Sequence, residues 1–416
     1  MAEQHEKALV PQIRFTGFTD PWEQRKLGEV ATFGGGHTPS MSDSDNYEGG
    51  NVLWVTSQDV KSHYLDGTTT QITEKGAKEL TLYPAGSLVM VTRSGILRHT
   101  LPVAELRKPS TVNQDIRVIL PQENYYGQWL LQFFISRNKE LLLEFGKTGT
   151  TVESVDFSKM RDMVLLTPSL PEQQQIGRYF ARLDNLITLH QRKYDKLCVL
   201  KKSMLDKMFP KGGSLYPEIR FAGFTDPWEQ RKLGEVARRV TRKNENGDSD
   251  LPLTISAQYG LVDQRTFFNS QVASKDMSGY FLLHRGEFAY NKSTSTDNPW
   301  GAIKRLEKYD MGCVSTLYIC FELLSGDPDF LVTYYETDRW YKSVQLIAAE
   351  GARNHGLLNI APDDFFETQI CIPKRIDEQR RIGAFFDRLY SLITLHQRKL
   401  ELLRNIKKSM LDKMFV

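Results

Sequence analysis

The chain has 416 residues, well over twice the length of a typical domain of about 150 residues, so at least two hydrophobic cores are expected. Charged residues make up 25% and hydrophobic residues 40%, ordinary globular values that exclude a disordered or collagen-like chain. The 54 basic and 51 acidic side chains leave a net charge of +3, which excludes a strongly basic coat protein and leaves nucleic-acid binding undecided.

The N-terminal residues 1–7 have no apolar core of the kind found in signal peptides, and no apolar run approaches the roughly 20 residues that span a bilayer. The sequence therefore predicts a cytoplasmic protein. The cysteines are far apart and form no C-x-x-C pair, so reduced, mostly buried thiols are predicted rather than a zinc site or a disulfide framework. They are Cys198, Cys313, Cys320 and Cys371.

The most informative feature is an internal repeat with an offset of 206 residues. Residues 11–31 recur almost unchanged at 217–237, and we call these two copies the frame segments. Further along, residues 172–209 recur at 378–415 with the same offset. The chain therefore consists of two halves that begin and end alike.

Between the repeated segments lie residues 32–169 and 238–375, which we call the first and second inserts. They are equal in length but share almost no residue-level identity. A weak common pattern remains, since residues 53–59 align with 253–259. We therefore predict one fold that carries two different surfaces.

The predicted elements of the inserts alternate between strands and helices. Helices are predicted at 125–145 and 330–349, and the β-rich runs are bounded by Gly, Pro, Asn and Asp. Each insert is thus predicted to be a mixed α/β domain with a curved sheet. The clearest strand runs are residues 87–92, 116–120, 163–166, 317–321 and 369–372.

Residues 172–209 and 378–415 have apolar residues at alternating spacings of four and three, which predicts a long helix in each half. Each helix would extend roughly 50–60 Å, too far to bury its apolar stripe on one small domain, so the other helix is the predicted partner. Pro171 starts the first helix, and residues 210–214 (Pro-Lys-Gly-Gly-Ser) end it before the second frame segment begins. This order favours an antiparallel pair with one insert domain at each end. The predicted helix-pairing residues are Ile176, Phe180, Leu183, Ile187, Leu197, Ile382, Phe386, Leu389, Ile393 and Leu403.

Polar residues interrupt both apolar stripes at matching places. His190 and His396 are interpreted as residues that set the register of the helix pair, because no carboxylate or cysteine is spaced to complete a metal or acid–base site. The lysine pairs at 201–202 and 407–408 are predicted to be solvated, with contact to a partner or a DNA backbone as the alternative.

Motifs for catalysis are weak or absent in the sequence. Residues 146–148 resemble part of a phosphate loop, but the required earlier glycine is Leu141. The Asp-Pro-Trp triplets that begin at Asp20 and Asp226 lack the second proline of an amino-methyltransferase motif and belong to the frame segments. No hydrolase, zinc-protease or nuclease pattern is present, so intrinsic catalysis is not expected.

Each insert is followed by a Glu-Gln pair that opens a long repeated helix, at residues 172–173 and 378–379. This arrangement resembles the specificity subunit of type I restriction-modification systems over nearly the whole chain. The second insert lacks an Asn-Gln-Asp triplet and has Ser315-Thr-Leu at the comparable place. The segments of the first insert that also resemble the family are residues 38–40, 54–59 and 113–115.

The resemblance implies two similar mixed α/β target-recognition domains, joined by two long helices in an antiparallel coiled coil with pseudo-two-fold symmetry. It divides the chain into a first domain with its frame segment, a first helix with a linker, a second domain with its frame segment, and a second helix. The corresponding boundaries are 1–169, 170–216, 217–375 and 376–416.

In such proteins each target-recognition domain reads one half of a bipartite sequence in double-stranded DNA. The helices set the gap between the halves and dock two methyltransferase subunits, to which restriction and translocase subunits are added. The resemblance implies a non-catalytic recognition subunit with no cofactor or metal of its own. S-adenosylmethionine, ATP and Mg are expected in the partners, which methylate adenine or cleave unmodified DNA.

Candidate DNA-binding residues follow from the chemistry of readout. Base edges are read by Asn, Gln, Arg, Lys, Ser or Thr on loops and strand ends, whereas phosphates are bound by cations and backbone amides. In the first insert the candidates are Ser57, Gln58, Lys61, Arg93, Ser94 and Lys147. In the second they are Gln258, Tyr259, Asn291, Lys292, Ser293, Thr294, Arg353 and Asn354.

Two other functions remain open at this stage: a two-headed adaptor for protein ligands, and a single-chain DNA methyltransferase or nuclease. The missing cofactor loop disfavours the second. The charge distribution adds a constraint on DNA binding, since each insert totals −2 whereas residues 170–216 and 376–416 total +5 and +4. The recognition domains must therefore use locally placed cations, with partners supplying much of the phosphate contact.

Overall fold

The computed structural model describes residues 10–149, 152–256, 259–268, 273–274, 276–296, 298–348 and 356–415. The chain divides into two compact units, and each takes in part of both long helices. Unit 1 comprises Met1–Gln191 and Arg398–Val416, and unit 2 comprises Arg192–Gln397.

The first half of the chain contains twelve strands, six α-helices and two short 3-10 helices, Ser44–Asn46 and Gly95–Arg98, among the described residues. The strands are β1 (Glu23–Lys26), β2 (Ala31–Gly34), β3 (Val52–Val55), β4 (Tyr64–Leu65), β5 (Gln71–Ile72), β6 (Leu88–Val91), β7 (Val103–Leu106), β8 (Thr111–Val112), β9 (Ile116–Pro121), β10 (Gly146–Lys147), β11 (Ser154–Val155) and β12 (Val164–Thr167). The helices are α1 (Leu27–Val30), α2 (Glu74–Ala77), α3 (Gly127–Ser136), α4 (Asn138–Phe145), α5 (Phe157–Arg161) and α6 (Leu170–Lys207).

The second half repeats this general order with different spacing. Its strands are β13 (Glu229–Lys232), β14 (Ala237–Arg239), β15 (Leu253–Ser256), β16 (Gly260–Asp263), β17 (Phe281–His284), β18 (Phe288–Asn291), β19 (Ala302–Arg305), β20 (Met311–Val314), β21 (Ile319–Leu323) and β22 (Gln369–Ile372). Its helices are α7 (Leu233–Val236), α8 (Gln264–Phe268), α9 (Pro328–Tyr334), α10 (Tyr341–Ile347), α11 (Pro362–Phe366) and α12 (Ile376–Met414).

The two inserts share one sheet arrangement. In unit 1 the order is β2-β9-β6-β7-β4, antiparallel except for the parallel β4/β7 pair, and in unit 2 it is β14-β21-β18-β19, antiparallel throughout. A second small sheet in unit 1 has the order β5-β3-β8. The mixed α/β fold predicted for both inserts is confirmed.

The predicted strands are confirmed by β6, β9, β12, β21 and β22, but each predicted insert helix is interrupted. The first breaks between α3 and α4 at Arg137, whose φ is −96° and ψ is 10°. Beyond the break, the Asn138 side chain accepts a hydrogen bond from the Leu101 amide (3.1 Å) and donates one to its carbonyl (2.5 Å). Because the helix breaks here, the Asn138 side chain can form hydrogen bonds with the backbone amide and carbonyl of the buried Leu101.

Each frame segment, which precedes its insert, also pairs with the last strand of that insert. β1 runs antiparallel to β12 with Glu23 opposite Thr167, and β13 runs antiparallel to β22 with Glu229 opposite Ile372. The first repeated strand of each half thus pairs with the last strand of the insert. An unrelated insert can be held in this way because backbone pairing does not depend on side-chain identity.

A buried ion pair ties each frame segment to the start of a long helix. Arg14 binds Glu172 through two hydrogen bonds of 2.7 and 2.8 Å, and Arg220 binds Glu378 with the same two distances. The glutamate side chains are 0% and 1% exposed. These bidentate pairs explain the glutamate of the repeated Glu-Gln motif.

The glutamine of the motif binds the insert. The Gln173 Oε1 accepts from the Tyr126 amide (2.9 Å), and the Gln379 Oε1 accepts from the Asp327 amide (2.8 Å). Tyr126 precedes α3 and Asp327 precedes α9, so each glutamine holds the start of the insert's main helix. The motif therefore joins frame segment, insert and long helix.

The end of each long helix packs against the frame segment of the opposite half. Trp22 contacts Phe415 edge-on, with ring centroids 6.4 Å apart, and Trp228 contacts Phe209 in the same way at 5.8 Å. The Ile13 amide donates to the Lys413 carbonyl (3.0 Å), as Ile219 does to Lys207 (2.9 Å). Both units are thus completed by a helix that begins in the other half of the sequence.

Within each unit the two helical segments run antiparallel. In unit 1, Phe180 lies beside Phe415 and Asp184 lies beside Lys407. Ile176, Phe180 and Leu183 are buried with Trp129, and Ile382, Phe386 and Leu389 are buried with Phe330, so the early helix turns also pack on the insert cores. Ile187, Leu197, Ile393 and Leu403 are only half-buried.

The prediction that Lys201 and Lys407 are solvated is wrong. The Lys407 side chain is 11% exposed and pairs with Asp184, and the Lys201 side chain is 19% exposed and pairs with Glu336. Their neighbours Lys202 and Lys408 are exposed, as predicted. The four-three spacing puts Lys201 and Lys407 on the apolar stripe, but it could not reveal the acids that pair with them, because those acids come from distant segments.

We predict that Glu172→Gln destabilises the protein by about 2–4 kcal/mol, because removal of one member of a buried ion pair strands the other charge. Urea unfolding of the full chain measures this. The control is Glu23→Gln, which removes an exposed pair with Arg25 and should cost less than about 1 kcal/mol. Equal effects of the two changes would contradict the structural role of the Arg14–Glu172 pair.

Candidate nucleic-acid interface

Several strands of unit 1 end side by side. β3 and β8 are parallel, and the Asn113 amide after β8 donates to the Val55 carbonyl at the end of β3 (3.0 Å). The Asp115 carbonyl accepts from the Thr92 amide after β6 (2.8 Å), and the Thr92 carbonyl accepts from the Val155 amide in β11 (2.9 Å). We call the resulting edge the strand-end surface of unit 1: residues 56–61, 92–94, 113–115 and 153–156.

Asp59 organises the first loop of this surface. One of its carboxylate oxygens accepts from the amide and hydroxyl of Thr56 (both 2.8 Å), and the other accepts from the amide and hydroxyl of Thr69 (2.7 and 2.6 Å). Burial opposes ionisation of Asp59, but these four bonds outweigh it and hold its pKa below the ordinary value. The loop is therefore fixed while Gln58 and Lys61 stay exposed and Ser57 is half-buried.

The β6 end brings three more predicted residues together. Arg93 forms a β-bridge with Ser154, and the Ser94 amide donates to the Glu153 carbonyl (3.1 Å). Lys147 pairs with Ser154 across β10 and β11. All six candidates of the first insert thus lie on the strand-end surface or on a strand paired with it.

The cations of this region differ in their availability. The Lys147 amine is bound to Asp156 (2.8 Å), and Arg98 pairs with Glu153. Among the described residues, Lys61 and Arg93 have no ion-pair partner, and both are exposed. These two side chains offer positive charge that no neighbouring acid neutralises.

A glycine-rich loop after β2 approaches the same surface and adds residues that the candidate set missed. The Thr38 hydroxyl donates to the Gln114 side-chain oxygen (2.7 Å), and the Trp54 indole donates to the His37 carbonyl (3.3 Å). A Cβ on Gly36 would lie 1.8 Å from the Val112 carbonyl oxygen, so only glycine permits this approach. The exposed side chains of His37 and Gln114 therefore extend the surface.

The contact between Thr38 and Gln114 joins segments that the sequence had already singled out. Residues 38–40, 54–59 and 113–115 resemble family segments although they are far apart in the chain, and the structure makes them neighbours. That common resemblance was the available signal for Gln114.

Unit 2 has the corresponding arrangement after β18. The Thr294 amide and hydroxyl donate to the Gly356 carbonyl (2.7 and 3.0 Å), and the Leu358 amide donates to the Lys292 carbonyl (3.0 Å). Ser293 bridges Leu357, as Arg93 bridges Ser154 in unit 1. We call residues 291–294 and 356–358 the strand-end surface of unit 2.

The predicted residues of the second insert are only partly assembled by these contacts. Asn291 accepts from the Ser293 amide (3.0 Å), and Ser293 is exposed. The half-buried Lys292 amine donates to the Ile360 carbonyl (3.2 Å), and burial lowers its pKa. The exposed Tyr259 ring lies 5.5 Å from the Lys308 amine. Gln258, Arg353 and Asn354 lie outside the described residues.

The described residues contain no group of three or more His, Cys, Asp or Glu side chains that could hold a metal ion. No helix in that part of the chain is both long enough and apolar enough to cross a membrane. Both strand-end surfaces offer exposed hydrogen-bonding groups, and that of unit 1 adds Lys61 and Arg93, which have no ion-pair partner among the described residues. Such groups make base-edge and phosphate contacts.

We predict that Gly36→Ala lowers the midpoint of thermal unfolding, with a cost of about 1–3 kcal/mol, because the added methyl group overlaps the Val112 carbonyl. Differential scanning calorimetry measures the change. Gly95→Ala is the matched control, since a Cβ there meets nothing within 4 Å. A Gly36→Ala protein as stable as the Gly95→Ala protein would contradict this account of the loop.

Comparisons with known proteins agree with this architecture. Residues 19–198 match the family described as the type I restriction modification DNA specificity domain. The chain is similar to the EcoR124I/EcoR124II specificity subunit of Escherichia coli, with 31% identity over 42% of this chain and 46% of that protein. It is also similar to the MjaIX specificity subunit of Methanocaldococcus jannaschii, with 25% identity over 54% of this chain and 53% of that protein.

The chain spans about half the length of these curated relatives. A structural likeness covers more: the type I restriction-modification S subunit of M. genitalium superposes with a TM-score of 0.62, over 98% of this chain and 99% of that one. Because the identity is only 10%, this likeness concerns the fold. It supports two similar domains with long helices.

Proposed function

We propose that this chain selects the DNA sequence in a type I restriction-modification system, because residues 19–198 match the DNA specificity domain of such systems. Each insert reads one half of a bipartite target in double-stranded DNA. The strand-end surfaces of units 1 and 2 make the contacts.

One observation carries the proposal: a nearly identical frame holds two inserts of one fold whose strand-end surfaces differ. Arg93 and Ser94 after β6 correspond to Ser293 and Thr294 after β18, each bridged to the segment that follows the insert helices. A pair of readers with a common scaffold and different contact residues suits a split target with unlike halves.

The helices support a docking role. Leu186 and Leu189 are 44% and 48% exposed, and the equivalent Leu392 and Leu395 are both 45% exposed. Exposed leucines at the same repeat positions form an apolar face on each helix that neither insert covers. We propose that each face docks one methyltransferase subunit, that restriction and translocase subunits join this core, and that the helices set the gap between the half-sites.

In this scheme the chain itself is not an enzyme and holds no cofactor or metal. S-adenosylmethionine, ATP and Mg belong to the partners, and the complex works in the cytoplasm on cellular and incoming DNA. The chain's own contribution is to orient Gln58, Lys61, Arg93 and Gln114 in unit 1, and Ser293 and Thr294 in unit 2. Fixed loops limit the entropy lost on binding.

The proposal is tested by exchanging residues 32–169 for the insert of another family member and expressing the chain with its methyltransferase partner. Methylome sequencing should show one half of the methylated motif changed and the other half retained. Exchange of residues 238–375 is the reciprocal control and should change only the other half. A motif altered in both halves, or in neither, contradicts modular recognition, as does methyl transfer by the isolated chain.

A point change tests the surface of unit 1. We expect Arg93→Ala to weaken DNA binding by the methyltransferase complex about tenfold and to reduce its salt slope by about 1, because one phosphate contact is lost. Fluorescence anisotropy at several salt concentrations measures both quantities. Arg25→Ala, at an exposed arginine of the frame segment, is the control and should leave binding unchanged. Equal losses for the two variants would exclude Arg93 as a specific contact.

A further inference from the structure

Lys201 and Lys407 occupy the same position of the repeat, yet they find their acids in different places. Both side chains are withdrawn from solvent at the junction between a long helix and an insert. An ammonium group in such a place is stable only with a partner, because an unpaired buried charge is costly. The source of that partner distinguishes the two halves.

In unit 1 the acid comes from the helix. The Lys407 amine lies 2.6 Å from Asp184, a residue of α6, and both side chains are about nine-tenths buried. Asp184 also accepts from the Tyr64 hydroxyl (3.0 Å) and the Gln132 amide (3.3 Å). Among the described residues, the first insert supplies no carboxylate to Lys407. Its groups near the pair are Tyr64, Gln132 and His63, and desolvation lowers the pKa of His63. Its Glu105 already pairs with Arg107.

In unit 2 the position equivalent to Asp184 is Tyr390, and the acid comes from the insert. Lys201 pairs with Glu336 at 2.8 Å and lies over the Tyr390 ring, 3.5 Å from its centroid. Glu336 also binds Lys304 at 3.2 Å and accepts a bond from the Tyr390 hydroxyl. Burial opposes ionisation of Glu336, but the lysines outweigh it and hold its pKa below the ordinary value.

We propose that helix positions 184 and 390 determine which insert each half of the chain accepts. Asp184 suits an insert with neutral partners, and Tyr390 suits an insert that supplies its own carboxylate. The inserts are then not freely exchangeable, although the frame around them is the same. The inference deepens the proposed modular recognition and rests on it for its biological meaning, but its contacts stand independently of DNA.

Placing each insert in the wrong half of the chain has opposite electrostatic consequences in the two cases. The first insert in the second half would leave Lys201 facing Tyr390 with no carboxylate. The second insert in the first half would bring Glu336, with its own Lys304, against Asp184, so two buried acids would face each other beside Lys407. The carboxylates of Glu336 and Asp184 would repel each other at this short range, which disfavours this combination of insert and helix.

The test is a chimera in which residues 32–169 replace residues 238–375, which are the same in number. In this chimera Tyr390→Asp should raise the thermal unfolding midpoint by about 5–10 °C, because Lys201 regains an acid. In the parent chain the same substitution should lower the midpoint by a similar amount, since an aspartate would face Glu336. Tyr216→Asp, at an exposed tyrosine, is the control and should shift neither midpoint appreciably.

Opposite signs of the Tyr390→Asp shift in the two backgrounds support the proposal. The proposal is overturned if the shift has the same sign in both backgrounds. It is also overturned if the chimera with Tyr390→Asp is no more stable than the chimera without it, or does not fold. The reciprocal chimera provides a second measurement, in which Asp184→Tyr should raise the midpoint. All measurements use the chain without DNA or partners, so failure of DNA recognition would leave these results unchanged.

Discussion

Each long helix carries more apolar surface than a single insert can cover, and most of the structure follows from this constraint. In each unit, the first turns of one helix and the last turns of the other share the core: Phe180 is buried with Phe415, and Phe386 with Phe209. The frame tryptophans Trp22 and Trp228 are buried in the same clusters. The repeated segments are therefore alike in both halves because they pack on each other. The inserts, in contrast, need only make the few contacts that attach them to these segments.

These attachment contacts are few, and most of them are made by the backbone of the insert. An insert must present a last strand to β1 or β13, a helix start to Gln173 or Gln379, and a close packing surface to the helix glycine. A Cβ on Gly177 would lie 2.9 Å from the Trp129 amide nitrogen, and one on Gly383 would lie 2.8 Å from that of Phe330. The strand-end surfaces, which we propose contact DNA, lie elsewhere, so they can vary without disturbing this attachment.

Sequence reasoning succeeded where the signal is local or repeated. The heptad spacing placed both long helices, which begin at Leu170 and Ile376. Alternating apolar runs located strands such as β6 and β21. The break at Arg137 was missed because it depends on Asn138 bonding a loop at Leu101, a contact that no periodicity reveals.

The candidate site was harder to predict because strand order is not local. Residues after β3, β6 and β8 were selected by residue type, but their proximity depends on the parallel β3/β8 pair and the bond from Thr92 to Asp115. His37 and Gln114 were missed for the same reason. Lys407 was misjudged because a lysine within a basic run is normally solvated, and its acid is 223 residues away.

The two tryptophan–phenylalanine contacts are chemically alike but differ in connectivity. Trp228 and Phe209 are separated by a short linker, so the chain itself holds them at a high effective concentration. Trp22 and Phe415 stand near opposite ends of the described chain, and their approach requires almost the whole polypeptide to be ordered first. Loop-closure entropy thus favours the contact in unit 2 over its twin in unit 1. The same kind of aromatic contact therefore closes a short loop in unit 2 and a loop of nearly the whole described chain in unit 1.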